Sequence, residues 1–310
     1  GRNEQTLGEI KKALCSNSQI HLLGNESGES VNRSVFTFVG EPDAMIKGAY
    51  EAISVATRLI DMQVHQGVHP RMGACDVCPL IPLDQKKESM ELCIEASFKL
   101  AKMVGDNLGI PVYLYGESAS HEDRRELASL RRGGYEGLSS KMQDAKYAPD
   151  FGPSFFNARS GATVIGARPI LVAYNISLNT TSLATVEQIA KQLRAARNSN
   201  ENELKAVKAM GWVIDDHDFK CAQISMNLMD YKTTGMYEVF QKVQNEAKAL
   251  GVEVTGSEVV GLVPLAALLD VGRKISSSYQ DSSEDQIVKR AIDFLGLNLH
   301  YPFEPEAKIL

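Results

Sequence analysis

The sequence has no apolar run near the roughly 20 residues that a membrane-crossing helix needs, and no charged-then-apolar leader opens it. It also has no basic run. With a formal net charge of −6 and a pI near 5.6, a surface that coats nucleic acid or an anionic membrane has no electrostatic basis. An anionic ligand would have to be held by local arginines or helix N-termini. Cysteine is sparse and odd in number (Cys15, Cys75, Cys78, Cys93, Cys221), and Cys93 falls in a helical apolar pattern, which suits reduced thiols in the cytoplasm better than a disulfide framework.

What is present is ordinary globular material: 44% hydrophobic and 23% charged residues over 310 positions, enough for two packed units. Leu7, Ile10 and Leu14 recur at helical spacing after the cap residue Asn3. Strands are expected at Ile20–Leu23 and Ser34–Val39, with a polar turn at Gly24–Ser30. A helix opened by Pro42 should reach Ile60 with Met45, Ala49, Ala52, Ile53, Ala56 and Leu59 inward. After a loop at His65–Gly73 come a strand at Asp76–Ile81, a helix at Ser89–Leu108, a strand at Val112–Tyr115 and a charged helix near His121–Arg132. A Gly/Pro/Ser-rich stretch, Ala148–Gly161, closes the half.

The second half repeats the style. Strands are expected at Ile170–Leu178, Ala206–Ile214, Cys221–Met229 and Val252–Thr255, and helices at Ser182–Arg197, Met236–Leu250 and Pro264–Ile275. Ala222, Ile224, Met226 and Leu228 alternate with Gln223, Ser225 and Asn227, so one face of that sheet is polar and helices cover the other. The element order predicts an α+β protein of two ferredoxin-like α/β sandwich subdomains, residues 1–169 and 170–310. Their mixed sheets are expected to face a central cleft or tunnel.

The densest chemistry is His65 to Cys78, where two histidines, an arginine, an aspartate and two cysteines fall within fourteen positions. Pro70 keeps His69 out of the helical region, and an imidazole with a pKa near 6.5 can carry a proton between two nitrogens. The alternatives are a structural loop histidine, or a zinc set of His65, His69, Cys75 and Cys78, which Pro70 disfavours by denying the histidines a common helix face. Arg33 could hold a carboxylate or make a surface ion pair, and Glu26 could orient His69 or stay solvated. Phe151–Gly161 could wrap a flat ring with Phe155 or Phe156 stacking, or serve as a hinge. Gly256–Pro264 leads from a strand into a helix, a placement that suits an anion.

These stretches resemble the formiminotransferase domain of the folate enzymes that include formiminotransferase-cyclodeaminase. The resemblance is carried by Asn32 to Gly40, His69-Pro70-Arg71-Met72-Gly73 through Asp76-Val77-Cys78-Pro79, Val112 to Glu117, Ala148 to Pro153, and Gly256 to Pro264, in order along nearly the whole chain. It implies formimino transfer between N-formimino-L-glutamate and tetrahydrofolate, the latter a co-substrate with no metal, in a tunnel between two subdomains of a homodimer. It implies His69 as acid/base and Glu26 where the family has an assisting aspartate. The folate loop would be Gly152, Pro153, Ser154, Phe155, Phe156, Asn157, Ala158, Arg159, Ser160 and Gly161, and Arg33 and Arg71 would meet substrate carboxylates. Residues around Pro149–Arg168 would separate the subdomains.

Relatives open with a strand and a Pro-Asn-Phe-Ser-Glu-Gly segment of which only the final glycine is expected here. Some carry tryptophan at the position of Ser160, and with the chain ending at Leu310 no cyclodeaminase module is expected. Formyl transfer between 5-formyltetrahydrofolate and glutamate uses the same residues, and a non-catalytic folate-binding relative would keep them too.

Overall fold

In a computed structural model the chain divides into two compact units, Gly1–Pro169 and Ile170–Leu310. The structure describes residues 1–84, 86–198, 204–215, 219–275 and 282–310. No helix among them is long and apolar enough to cross a membrane.

Unit 1 opens with α1 (Glu4–Leu14), capped by Asn3, whose side chain accepts the Thr6 amide at 2.8 Å. An antiparallel hairpin follows, β1 (Ile20–Gly28) and β2 (Arg33–Gly40). Residues 24–28, expected in a turn, continue strand β1. The polar side chains of this stretch alternate across the pleat, and the turn proper lies at Asn32, a non-glycine residue at φ 45°. In α2 (Pro42–Leu59) the buried residues are Ala44, Ile46, Gly48, Ala49, Ile53 and Ala56; Met45 is only half-buried and Leu59 is exposed, so at its start the inward stripe runs through Ala44 and Ile46 on either side of Met45.

Next come β3 (Val77–Leu80), α3 (Lys87–Leu108, stopped by Gly109 at φ 62°) and β4 (Val112–Gly116). The charged segment 121–132 is not one helix. It forms a single 3-10 turn, Glu122–Arg124, and a short α4 (Leu127–Arg131), followed by α5 (Gly134–Lys141). Gly133 and Gly134 both hold positive φ, which ends α4 and sets the angle of α5.

The larger correction concerns residues 149–168. Thr163–Ala167 forms β5, the central strand of a parallel sheet in the order β3-β5-β4, so this segment belongs to the heart of unit 1 and is not a separator. All five residues of β5 are buried, as a parallel strand covered on both faces must be. One face meets α2 and α3 through Ile53, Leu100, Val104, Leu114 and Ile165, and the other packs Tyr113, Tyr115 and Val164 on Leu130 and Leu138 of α4 and α5.

Unit 2 runs β6 (Val172–Leu178), α6 (Leu183–Arg197), β7 (Val207–Asp215), β8 (Lys220–Leu228), α7 (Met236–Ala249), β9 (Val254–Val260), α8 (Leu265–Lys274), α9 (Glu284–Leu295) and a last turn, α10 (Pro305–Lys308). Its sheet has the order β7-β8-β6-β9 and is antiparallel throughout rather than mixed, with the β-α-β-β-α-β succession of a ferredoxin-like sandwich. Tyr174, Ile176, Ala222, Ile224, Met226 and Leu228 point into one core with residues of α6, α7, α8 and α9. The α+β class and the two α/β units expected from the sequence are thus present. α9, begun by a Ser283–Gln286 capping box, is a helix the sequence reading does not include. β9 extends to Val260, so the Gly256 end of the suspected anion-binding segment is strand backbone.

Candidate active site

The His65–Gly73 loop is irregular yet firmly tied. Its first part is fastened to the β1–β2 turn: Asn32 Nδ2 donates to the Gln66 carbonyl at 2.7 Å, His65 Nε2 meets the Asn32 carbonyl at 3.0 Å, and the Val68 amide donates to Ser30 at 3.3 Å. A Cβ at Gly67 would lie 2.3 Å from the Val31 carbonyl, so only glycine lets the loop come this close. Its far end is tied to the 152–161 segment. Gly73 bridges Gly161, the Ala74 amide donates to the Ser160 carbonyl at 2.9 Å, and the Ala162 amide donates to the Met72 carbonyl at 3.1 Å.

Arg71, expected to face a substrate carboxylate, is occupied within the loop's own scaffold. It pairs with Glu136 at 2.7 Å, donates to the His65 carbonyl at 3.0 Å and lies 5.8 Å from the Tyr135 ring centre. Arg33 stands differently. It begins β2, and its Nη1 lies 2.5 Å from His69 Nε2. His69 Nδ1 lies 2.6 Å from the Pro70 carbonyl. A carbonyl can only accept, so Nδ1 carries the proton and Nε2 keeps its lone pair; Arg33 Nη1 also lies 3.4 Å from Nδ1, which sets the guanidinium against the ring rather than along that lone pair.

Burial, and then the charges of Arg33 and Arg131, lower the His69 pKa from 6.5 to about 3, against smaller opposing effects of the Pro70 carbonyl and Asp76. Arg33 is itself pushed down, chiefly by burial. Asp76 belongs to Arg131 of α4, which reaches both of its carboxylate oxygens, and Asp76 Oδ1 also accepts the Met72 amide at 3.0 Å. The Asp76–Arg131 pair is the part of the site that sequence reasoning missed. The partners stand 55 positions apart, and no local spacing signals the contact.

Glu26 lies on β1 opposite Val35, and Arg33 opposite Gly28, so Glu26 and Arg33 share one face of the hairpin. The residues proposed as a zinc set do not converge: among the described residues no three His, Cys, Asp or Glu side chains could hold a metal. Cys75 and Cys78 are raised by burial, Cys75 to about 11, which keeps both as thiols at neutral pH.

The 152–161 segment folds on unit 1. Gly152 (φ 80°) and Gly161 (φ 68°) turn it; a Cβ would lie 2.2 Å from the Ile110 carbonyl at the first and 2.1 Å from the Met72 carbonyl at the second. Asn157 bonds the Ser160 amide at 3.0 Å and the Gly109 carbonyl at 3.2 Å, and the Ala158 carbonyl accepts the Tyr135 hydroxyl. Arg159 donates to the Arg58 carbonyl at 2.9 Å. Phe156 packs on Tyr135, ring centres 5.4 Å apart, and Ser160 is buried. Pro153 is half-buried, Ser154 is exposed, and Phe155, 71% exposed, presents its ring to solvent. The structure therefore brings the His69 loop, Arg33 and the 152–161 segment together on unit 1.

Two α/β units, the first with a neutral histidine set among arginines beside a glycine-turned loop, define a candidate small-molecule enzyme rather than a scaffold. Residues 1–168 match the formiminotransferase domain, N-terminal subdomain, and residues 173–310 match the formiminotransferase domain; the chain belongs to this family. It is 40% identical to the formimidoyltransferase-cyclodeaminase of Sus scrofa over 321 residues, covering 100% of this chain and 57% of that protein. It is 40% identical to the glutamate formimidoyltransferase of Thermoplasma acidophilum over 275 residues, 88% of either chain, and 37% identical to that of Streptococcus pyogenes serotype M1 over 271. The chain spans little more than half the length of the cyclodeaminase-bearing relatives it matches.

Proposed function

We propose that this chain transfers a formimino group between N-formimino-L-glutamate and tetrahydrofolate, with His69 carrying the proton. The observation that supports this most is the match to proteins named glutamate formimidoyltransferase over 88% of both chains. His69 Nε2 takes the proton of the attacking amine as its nitrogen bonds to the one-carbon centre, and the imidazolium returns the proton to the glutamate nitrogen as the old C–N bond breaks. The neutral, Nδ1-protonated imidazole beside Arg33 suits the first step, and Arg33 with Arg131 gives the site the positive charge that a dicarboxylate needs.

The 152–161 segment, with its exposed Phe155 ring and positive-φ glycines, fits a flat pterin laid against backbone. Glu26, on the same hairpin face as Arg33, helps to orient the reacting groups. A homodimer in the cytoplasm completes the reading; sedimentation equilibrium at twice 33.9 kDa checks the assembly.

The deciding assay mixes the protein with N-formimino-L-glutamate and measures free glutamate with and without tetrahydrofolate. Folate-dependent release is the expected result. Formation of N-formyl-glutamate from 5-formyltetrahydrofolate and glutamate, without formimino transfer, would assign the formyl reaction instead. Folate binding with no turnover would assign a non-catalytic relative.

A further inference from the structure

Phe155 and Phe156 are chain neighbours with opposite surroundings. The Phe155 ring is 71% exposed, whereas Phe156 is half-buried against the core cluster of Leu138 and Val164 and lies 5.4 Å from the Tyr135 ring at an interplanar angle of 48°. Among the described residues, positions 153–156 make no backbone hydrogen bond, so side-chain seating is what holds this tip. Just beyond it, the Tyr135 hydroxyl donates to the Ala158 carbonyl. Tyr135 is in turn fixed to the histidine loop. Its amide donates to the Arg71 carbonyl at 2.8 Å, and the next residue, Glu136, pairs with the Arg71 guanidinium at 2.7 Å. The first turn of α5 therefore grips the His69 loop with its backbone and Glu136, and the 152–161 segment with the Tyr135 ring and hydroxyl.

Resting on the transferase reading, we infer that Tyr135 is a positioning residue for tetrahydrofolate: it holds the 152–161 segment with Phe156 turned in and Phe155 turned out, so that the Phe155 ring is presented to the pterin at a place set by the histidine loop. Tyr135 acts on the folate only through the segment it holds. The Gly73–Gly161 bridge and the Ala74–Ser160 hydrogen bond fix the end of the segment and leave its tip to this contact. Ring and hydroxyl do separate work here. A ring face alone lets its neighbour slide, whereas an O–H bond to one carbonyl sets the register of the backbone that follows Phe156. The two positive-φ glycines before it, Gly133 at 89° and Gly134 at 60°, fix the direction from which Tyr135 reaches the segment.

The test is a double-mutant cycle over the parent, Tyr135→Phe, Phe155→Ala and the double variant, read by steady-state kinetics and by calorimetric binding of tetrahydrofolate. Tyr135→Phe removes one hydroxyl and keeps the ring. In the parent background it should raise the KM and Kd for tetrahydrofolate about 2–10-fold, with kcat within about twofold and the KM for N-formimino-L-glutamate unmoved. In the Phe155→Ala background the same substitution should change the folate constants less than about 1.5-fold, because the ring it presents is gone. Phe156→Leu, which loosens the seat from the other side, should repeat the pattern and keeps the test alive if Tyr135→Phe fails to fold. Equal effects in both backgrounds, or a fall in kcat with unmoved folate constants, overturns the role. Folate binding that follows the cycle without any turnover keeps Tyr135 in place and sinks the transferase reading. Turnover with folate constants that ignore Tyr135→Phe has the opposite meaning, and a parent that binds no tetrahydrofolate ends both.

Discussion

The two units treat buried polar groups in opposite ways. In unit 2 the polar face of the sheet closes on itself: Trp212 Nε1 donates to Gln223 at 3.0 Å, Gln223 donates to Ser177 and to Glu258 at 3.1 Å each, Asn175 donates to Glu258 at 3.0 Å, and His300 meets Ser177 at 2.9 Å. Strand register places Trp212 and Ser177 opposite Gln223, and Asn175 opposite Glu258, so the pleat itself lines up most of these partners. In unit 1 the comparable groups come from a strand, a helix and a loop and carry surplus positive charge, with two arginines and one aspartate near one histidine. The lesson is that one α/β style yields a hydrogen-bonded polar sheet face in one unit and, in the other, a site where positive charge gathers around a histidine.

Breaking that contrast most sharply, His69→Ala should lower turnover at least about 10²-fold, measured by glutamate release, because a general acid/base is lost. Asp76→Ala comes next. It strands Arg131 in a mostly buried position and should cost about 3 kcal/mol in urea denaturation. In unit 2, Gln223→Leu leaves Trp212, Ser177 and Glu258 short of a partner and should cost about 2 kcal/mol while leaving the His69 titration unmoved.

Acid sharpens the comparison further. His69 binds its proton less readily folded than unfolded, so its contribution to stability is present above pH 6.5 and is lost as pH falls from 6.5 toward 3. By pH 5 this amounts to about 2 kcal/mol at most. The drop in urea midpoint from pH 7 to pH 5 should therefore be smaller in His69→Gln than in the parent. A remainder should persist from His65, which burial also lowers. The smallest effect is expected for Phe155→Ala, with unchanged stability because the ring is exposed, and a KM for tetrahydrofolate raised roughly 3–10-fold by lost stacking.

Most regular elements were legible because their signals are local. Asn3, Pro42 and Gly109 mark helix ends, and the alternation from Ala222 to Leu228 marks a one-sided strand. Thr163–Ala167 was hidden because a short, fully buried parallel strand has no alternation, and here it follows a glycine-rich loop that reads as linker. The polar composition of residues 24–30 signals a turn, although pairing with β2 makes residues 24–28 strand. At the site, the loop and His69 stood out by composition and by Pro70. The Arg33–His69 contact spans 36 positions and Asp76–Arg131 spans 55, distances over which only the finished fold brings charges together.

The central place of β5 bears on how the chain is made. Strands β3 and β4 have β5 as their common neighbour, Gly73 meets Gly161, and the Thr163 hydroxyl reaches the Cys75 carbonyl 88 positions away. At ordinary elongation speeds a ribosome needs roughly 4–18 s to cover that interval. By the end of that interval the nascent protein carries two strands awaiting their shared partner and a histidine loop that still lacks its contacts to residues 160–163. Chaperone occupancy at this stage of translation should therefore peak just before β5, Thr163–Ala167, clears the exit tunnel.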